Sequence, residues 1–204
     1  AGWVGDRWGS KRTFLAALAL FAFASALCGL AATLGQLVGA RILQGAASGV
    51  LSPVGTAMLY RTFLPHERVR VSRIMIVPTV IAPASGPVLG GFLVDRLSWH
   101  WVFFVNVPLG LLILLFGLVY LRDHREPQAG RFDLAGFVLA SAGFALLMYA
   151  VTQGSVYGWA SWRILASLAV GLAALVALVL VELRLAQPMI QPRLFGNHLF
   201  RTSN

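Results

Sequence analysis

A row of polar and small residues recurs at spacings of three and four between positions 41 and 56, within an otherwise apolar stretch. Side chains at these spacings lie on one face of an α-helix. The row consists of Arg41, Gln44, Gly45, Ser48, Ser52 and Thr56. Because a polar face on a membrane helix points toward a bundle interior or a watery cavity, we predict that a helix over about residues 37–60 lines a cavity.

Arg41 carries the one formal charge that the pattern places inside an apolar run and not in a loop. An arginine at the centre of a membrane helix costs about 2.5 to 3.5 kcal/mol on insertion scales, which is typical of a functional site. Two interpretations are open. The guanidinium lies near the outer end of its helix and could snorkel to the interface, or it faces the cavity, and the polar row that continues below it favours the cavity.

The uncharged run 74–94 combines prolines with glycines. Its prolines are Pro78, Pro83 and Pro87. Proline breaks a water-exposed helix, but in a bilayer the helix is the structure in which a single segment satisfies its own backbone. Gly86 and Gly90 form a small-xxx-small contact against which another helix can pack closely. The run therefore predicts a kinked transmembrane helix with one face that has almost no side chains. This face could serve only for static helix packing, or it could be the contact between two parts of the protein that move against each other.

Residues 1–12 are rich in glycine and charge. The glycines predict a tight turn before a helix that begins near Thr13. Asp6 can accept hydrogen bonds from exposed helix N-termini, while Arg7 and Lys11 can bind carbonyl groups or phospholipid headgroups. A plain positively charged turn is the alternative interpretation.

The sequence shows no motif for catalysis, metal binding or ATP hydrolysis. The four histidines, which fall in separate loops, are His66, His100, His124 and His198. They predict neither a metal cluster nor a catalytic triad, and no phosphate-binding loop that would indicate ATP hydrolysis occurs. We expect no enzyme activity, no cofactor, no metal and no nucleic-acid partner. A proton-coupled carrier needs a buried group that titrates, and since no carboxylate lies inside the apolar runs, we expect that group elsewhere.

The elements that position these residues follow from composition. Hydrophobic residues make up 58% of the 204 residues and charged residues 11%, and the mean hydropathy is +0.79, far from the soluble average of about a quarter charged. Six runs without charge, each about long enough to cross a ~30 Å hydrocarbon core, are residues 13–40, 42–60, 74–94, 97–121, 134–162 and 164–181. The sequence therefore predicts an all-α integral membrane bundle with six transmembrane helices.

The net charge of +9 comes from arginine and lysine in alternate loops and not from one patch. Only Arg96 and Arg163 lie in the other set of loops. The positive-inside rule then predicts that residues 1–12, 61–73, 122–133 and 182–204 lie on the cytoplasmic side of a cell membrane. The single cysteine, Cys28, excludes a disulfide within the chain. We expect the chain to be a piece of a longer protein.

Four motifs in order resemble the major facilitator superfamily, in particular its fourteen-helix drug:proton antiporter branch of the EmrB/QacA type. The loop motif G-x-L-x-D-R-x-G-R-K is matched, with Val4 and Ser10 as departures, by Gly2, Asp6, Arg7, Gly9 and Lys11. The pattern R-x-x-Q-G-x-x-x-G is matched by Arg41, Gln44, Gly45 and Gly49, and the antiporter motif G-P-x-x-G-G by Gly86, Pro87, Gly90 and Gly91. The run from Trp99 resembles W-x-W-x-F-x-x-N-x-P.

The resemblance covers the whole chain, from the loop after that family's second helix to the loop after its eighth. It implies that residues 1–121 belong to an N-terminal transporter bundle, 122–184 to an inserted helix pair, and 185–204 to a cytoplasmic connector. It also implies export of small lipophilic or cationic drugs in exchange for protons, by alternating access in the bilayer and without ATP. The alternatives are a carrier for a native metabolite, such as a siderophore, sugar or amino acid, and, more remotely, a non-transporting membrane sensor.

Under this resemblance the site residues take three roles. Asp6 and Arg7 would latch the cytoplasmic side closed. Arg41 would shape the local field for proton release, with Gln44 and Ser48 on the same cavity-lining helix. The glycine face around Gly86 would let two helices seal against leakage while sliding.

Overall fold

The computed structural model describes residues 2–64, 66–124 and 133–184, and every regular element in these ranges is an α-helix. The helices are α1 (Gly2–Trp8), α2 (Ser10–Gly29), α3 (Leu34–Thr62), α4 (Arg68–Arg96), α5 (Trp101–Phe104), α6 (Asn106–Tyr120), α7 (Leu134–Tyr157) and α8 (Trp162–Arg184). Six segments of the described chain are long and apolar enough to cross a membrane, with α5 and α6 together forming one of them. The predicted all-α class and six spans are confirmed.

The chain divides into two compact units, Ala1–Ala129 and Gly130–Asn204. The first unit contains α1 to α6 and the second contains α7 and α8. The prediction that residues 122–184 are an inserted pair within a longer transporter stays a prediction, and the connector at 185–204 lies outside the described residues.

The first unit begins with a helix and not with the predicted turn. Gly2–Trp8 form α1, and Gly9, with φ of 97°, separates α1 from α2. Helix α1 contacts both neighbouring helices: the Thr13 hydroxyl donates to the Val4 carbonyl over 3.3 Å, and Gly5 faces Val54 of α3. The prediction was wrong because the glycine content of this segment serves close helix packing at Gly5, while only Gly9 needs a conformation that other residues avoid.

Helices α2 and α6 pack antiparallel through positions seven residues apart. A Cβ added to Gly117 would lie 2.7 Å from Leu15, and one added to Gly110 would lie 3.0 Å from Ala22. Farther along, a Cβ added to Gly29 of α2 would lie 2.7 Å from the ring of Phe104 in α5. Since Gly110 and Gly117 are the buried residues of α6, the absence of side chains sets how closely the two helices approach.

Helix α3 starts earlier than residue 37, where the sequence placed it. The Thr33 hydroxyl accepts from the Gln36 backbone N–H over 3.3 Å, and the Gln36 side chain accepts from the Thr33 N–H over 3.3 Å. This capping box satisfies backbone donors at the helix start. Gln36 therefore lies in the first turn of α3, which begins at Leu34.

Helix α4 runs unbroken through its three prolines and has no buried residue. It packs against α5 among the described elements.

In the second unit, α7 and α8 pack against each other through glycines. A Cβ on Gly143 would lie 3.2 Å from the Gly171 carbonyl oxygen, and one on Gly171 would lie 3.1 Å from the Gly143 carbonyl oxygen. The backbones therefore touch at this point. Helix α8 also buries two polar side chains, Ser167 and Glu182.

Candidate functional site

An open pocket of about 260 Å³ lies in the first unit, where α3 passes α2, α5 and α6. Its lining is Phe21, Arg41, Gln44, Gly45, Ser48, Val102, Phe103 and Asn106. Four residues of the predicted polar row on α3 therefore line the same pocket. Gly49 and Ser52 lie farther along α3, where both are exposed, and the Ser52 carbonyl accepts from the Thr56 hydroxyl over 2.9 Å.

Gln44 is the buried centre of this pocket, with 5% of its surface exposed. Its Oε1 accepts from Arg41 Nη1 over 3.0 Å, and its Nε2 donates to Ser25 Oγ over 3.0 Å. The Cys28 thiol lies 3.9 Å from the same Oε1. A buried amide is costly unless its donors and acceptors are used, so these contacts fix the Gln44 side chain.

Arg41 lies about two turns into α3, with its guanidinium in the pocket. Its Cζ is 4.5 Å from the ring centroid of Phe103, within the range of a cation–π contact. No carboxylate of the described residues forms an ion pair with Arg41. The hydrogen bond to Gln44 and the Phe103 contact favour the cavity interpretation over snorkelling, and the positive charge remains open to an anionic group.

Sequence reasoning missed two members of this pocket network, Ser25 and Asn106. The Ser25 hydroxyl donates to the Phe103 carbonyl over 2.9 Å and accepts from Asn106 Nδ2 over 3.3 Å. Ser25 is the one hydroxyl residue between Thr13 and Thr33. A lone polar residue in an apolar membrane helix was the signal that could have pointed to it.

A second cluster of charged residues joins the ends of α1, α2 and α3. Asp6 Oδ1 accepts from Arg61 Nη2 over 2.8 Å, and Arg61 Nη1 also donates to the Ser10 hydroxyl over 3.4 Å. Arg7 points elsewhere, with its Cζ 5.5 Å from the ring centroid of Trp3. The structure thus places Asp6 in an ion pair to α3, and Arg7 does not share it.

Asp123 takes the role at a helix N-terminus that the sequence suggested for Asp6. Its Oδ1 accepts from the Lys11 backbone N–H over 3.2 Å, and its Oδ2 lies 3.8 Å from Arg12 Nε. The Lys11 side chain donates to the Leu118 carbonyl over 2.7 Å. A carboxylate at this end stabilises α2 through the helix dipole. Three predicted cytoplasmic segments therefore meet at one end of the unit.

The glycine face of α4 is bare in the described chain. A Cβ added to Gly86, Gly90 or Gly91 would have no neighbour within 4 Å, and Pro87 is exposed beside them. No helix of the described residues packs on this face, so the predicted partner helix is not among them.

Comparison with known sequences decides the family. The sequence model of the Major Facilitator Superfamily matches residues 1–177. The chain belongs to this superfamily. As a major facilitator chain with six candidate spans, it is a multi-pass membrane protein, and the resemblance drawn from the motifs is confirmed.

Its relatives in the superfamily carry names of drug resistance and export. Multidrug resistance protein 3 of Bacillus subtilis (strain 168) is 34% identical over 203 residues, which cover 99% of this chain and 40% of the relative. The cephamycin export protein CmcT of Amycolatopsis lactamdurans is 41% identical over 199 residues, which cover 96% of this chain and 41% of the relative. The putative multidrug resistance protein MdtD of Pectobacterium atrosepticum is 35% identical over 200 residues, which cover 98% of this chain and 43% of the relative. The chain spans about two fifths of the length of these relatives.

Proposed function

We propose that the full-length protein exports small lipophilic or cationic compounds across the cytoplasmic membrane in exchange for inward protons, by alternating access. Each proton that moves inward down the membrane potential supplies about 2.3 kcal/mol per 100 mV. The names of the relatives support export of drugs. The Arg41 pocket supports proton coupling.

The observation that carries the proposal is the state of Arg41. Its guanidinium is held by Gln44 and by the Phe103 ring, yet it has no ion-pair partner among the described residues. A nearby positive charge favours the ionised form of a carboxyl group. Arg41 would therefore promote proton release from a carboxyl group that comes close to it in one state of the cycle and not in the other.

We assign the charged cluster at the ends of α1 to α3 to the closed state of the cytoplasmic side. The ion pair between Asp6 and Arg61 fixes α1 against α3, and Gly9 and Lys11 fix the start of α2. Arg7, which stays outside this pair, is the group available to a partner surface. This refines the hypothesis of a latch. Asp6 would hold α1 in place, and Arg7 would bind the partner surface when the cytoplasmic side closes.

The bare face of α4 is assigned to the seal between the two moving bundles. Among the described residues, no atom lies within 4 Å of a Cβ added to Gly86, Gly90 or Gly91, so the face has room for a helix of the other bundle. Small residues allow close backbone contact without interlocking side chains, so that the contact can exclude ions and still slide. Residues 122–184 would then connect the two bundles as an inserted pair.

A second candidate is a dedicated exporter of one native metabolite. It is favoured by the relative with 41% identity, whose name gives a single exported compound, cephamycin. The two candidates differ in breadth, since a multidrug exporter accepts unrelated cationic dyes and a dedicated exporter rejects them.

The test uses the full-length protein in everted membrane vesicles. A fluorescent cationic dye and a pH-sensitive probe are followed together after a proton gradient is imposed. Dye uptake that requires the gradient, with dye-dependent proton release, is the expected result. Uptake that needs ATP and ignores the gradient would refute proton antiport, and transport of cephamycin-like compounds without dye transport would favour the second candidate.

A further inference from the structure

We propose that Ser25 is a positioning residue that fixes the orientation of Gln44 and, through it, of Arg41. The inference rests on the proposed function, because it places Ser25 in the same proton-coupling pocket. The role differs from ordinary helix packing, since it requires the hydroxyl to act through the Gln44 amide.

The chemistry of Arg41 determines which way the Gln44 amide faces. A guanidinium group has five N–H donors and no acceptor, so Gln44 must turn its oxygen toward Arg41, 3.0 Å away. The amide nitrogen then points toward α2 and needs an acceptor. The Ser25 hydroxyl oxygen, 3.0 Å away, is that acceptor.

Ser25 is buried with 0% exposure, and its hydroxyl group is fully used. It donates its one proton to the Phe103 carbonyl and accepts from Gln44 and Asn106. A hydroxyl group has one donor and two acceptor positions, so the three contacts occupy all of them. Rotation of the Gln44 amide would leave buried groups unsatisfied, which is costly.

The network closes on itself at Phe103. The backbone carbonyl of Phe103 receives the Ser25 proton, while its ring lies under the Arg41 guanidinium at 4.5 Å. Arg41, Gln44, Ser25 and Phe103 therefore form a cycle that ties α3 to α2 and α5. The cycle holds Arg41 in place before any carboxyl group arrives, and removal of the hydroxyl opens it.

A double-mutant cycle tests the inference in the full-length transporter. Ser25→Ala, Gln44→Leu and the double variant are compared with wild type for dye-driven proton release in everted vesicles. Ser25→Ala should lower the exchange rate by about tenfold, as expected for about 1.4 kcal/mol, and should shift the pH profile in the same direction as Gln44→Leu. Because Ser25 acts through Gln44, the double variant should lie within about twofold of Gln44→Leu.

Two results would overturn the inference: an additive double variant, or a Ser25→Ala protein with wild-type rate and pH profile. Should Ser25→Ala not accumulate in the membrane, Asn106→Leu, which removes one donor to the same oxygen, replaces it in the cycle, and additivity with Gln44→Leu counts equally against the inference. Thr152→Val is the matched control, because the Thr152 hydroxyl donates to the Met148 carbonyl within α7. A wild-type protein without exchange would instead refute the proposed function.

Discussion

The charge and the shape of the Arg41 guanidinium can be separated by two substitutions. Arg41→Ala removes a hydrogen bond from a charged donor, worth about 1.5 to 3 kcal/mol, and a cation–π contact to Phe103, worth about 0.5 to 2 kcal/mol. At about 1.36 kcal/mol per tenfold change in rate, the lower ends of these two ranges together predict a fall in exchange of at least about thirtyfold. Arg41→Lys keeps the charge but loses the planar group that stacks on Phe103 and bonds to Gln44, and we expect a fall of about tenfold.

The assay is dye-driven proton release by the full-length protein in everted vesicles, normalised to the amount of protein in the membrane. Arg163→Ala is the matched control, because Arg163 also lies over an aromatic ring, with its Cζ 5.7 Å from the Tyr157 centroid in the second unit. A surface change of this kind should stay within about twofold. The reasoning is refuted if Arg41→Ala exchanges protons at the wild-type rate, or if Arg163→Ala loses as much activity.

Three further substitutions test the other assignments. Asp6→Asn breaks the ion pair to Arg61 and should slow turnover several-fold with little change in membrane level, because a partly exposed pair contributes only about 0.2 to 1 kcal/mol to stability; an unchanged rate in the vesicle assay argues against the latch. Gly90→Leu should leave the protein folded but abolish efflux. Val88→Leu, two residues from Gly90 and so turned away from it on the helix, should not abolish efflux, and equal efflux by both variants would show that Gly90 serves packing alone. Gly143→Val would place its Cβ 2.7 Å from a leucine methyl of α8 and should destabilise the α7–α8 pair by about 1 to 3 kcal/mol, measured as a lower unfolding midpoint in detergent.

The six spans and the polar row on α3 were predictable because each depends on a local pattern. A stretch of about twenty residues without charge has one structure available in a bilayer, and spacings of three and four place Arg41, Gln44 and Ser48 on one face whatever surrounds the helix. Capping at Thr33 was harder to read, since the sequence signal is one glutamine three residues later.

The rest of the pocket was not predictable from the chain alone. Ser25 and Asn106 are 81 positions apart, and nothing local in either helix indicates that they meet. The α1 helix was missed for a related reason, because a glycine-rich segment is helical here only through its contacts with α2 and α3. Whether the bare face of α4 has a partner depends on residues that no pattern within α4 reveals.

The seven-residue spacing between α2 and α6 has a mechanical consequence. Leu15 and Ala22 of α2 each contact a glycine of α6 at close range. Asp123 and Lys11 join the two helices at one end. The two helices should therefore move as one rigid body. Spin labels placed at the two ends of this pair should keep a constant separation throughout the transport cycle. A rearrangement that reshapes the Arg41 pocket would then require α3 or α5 to move relative to this rigid pair.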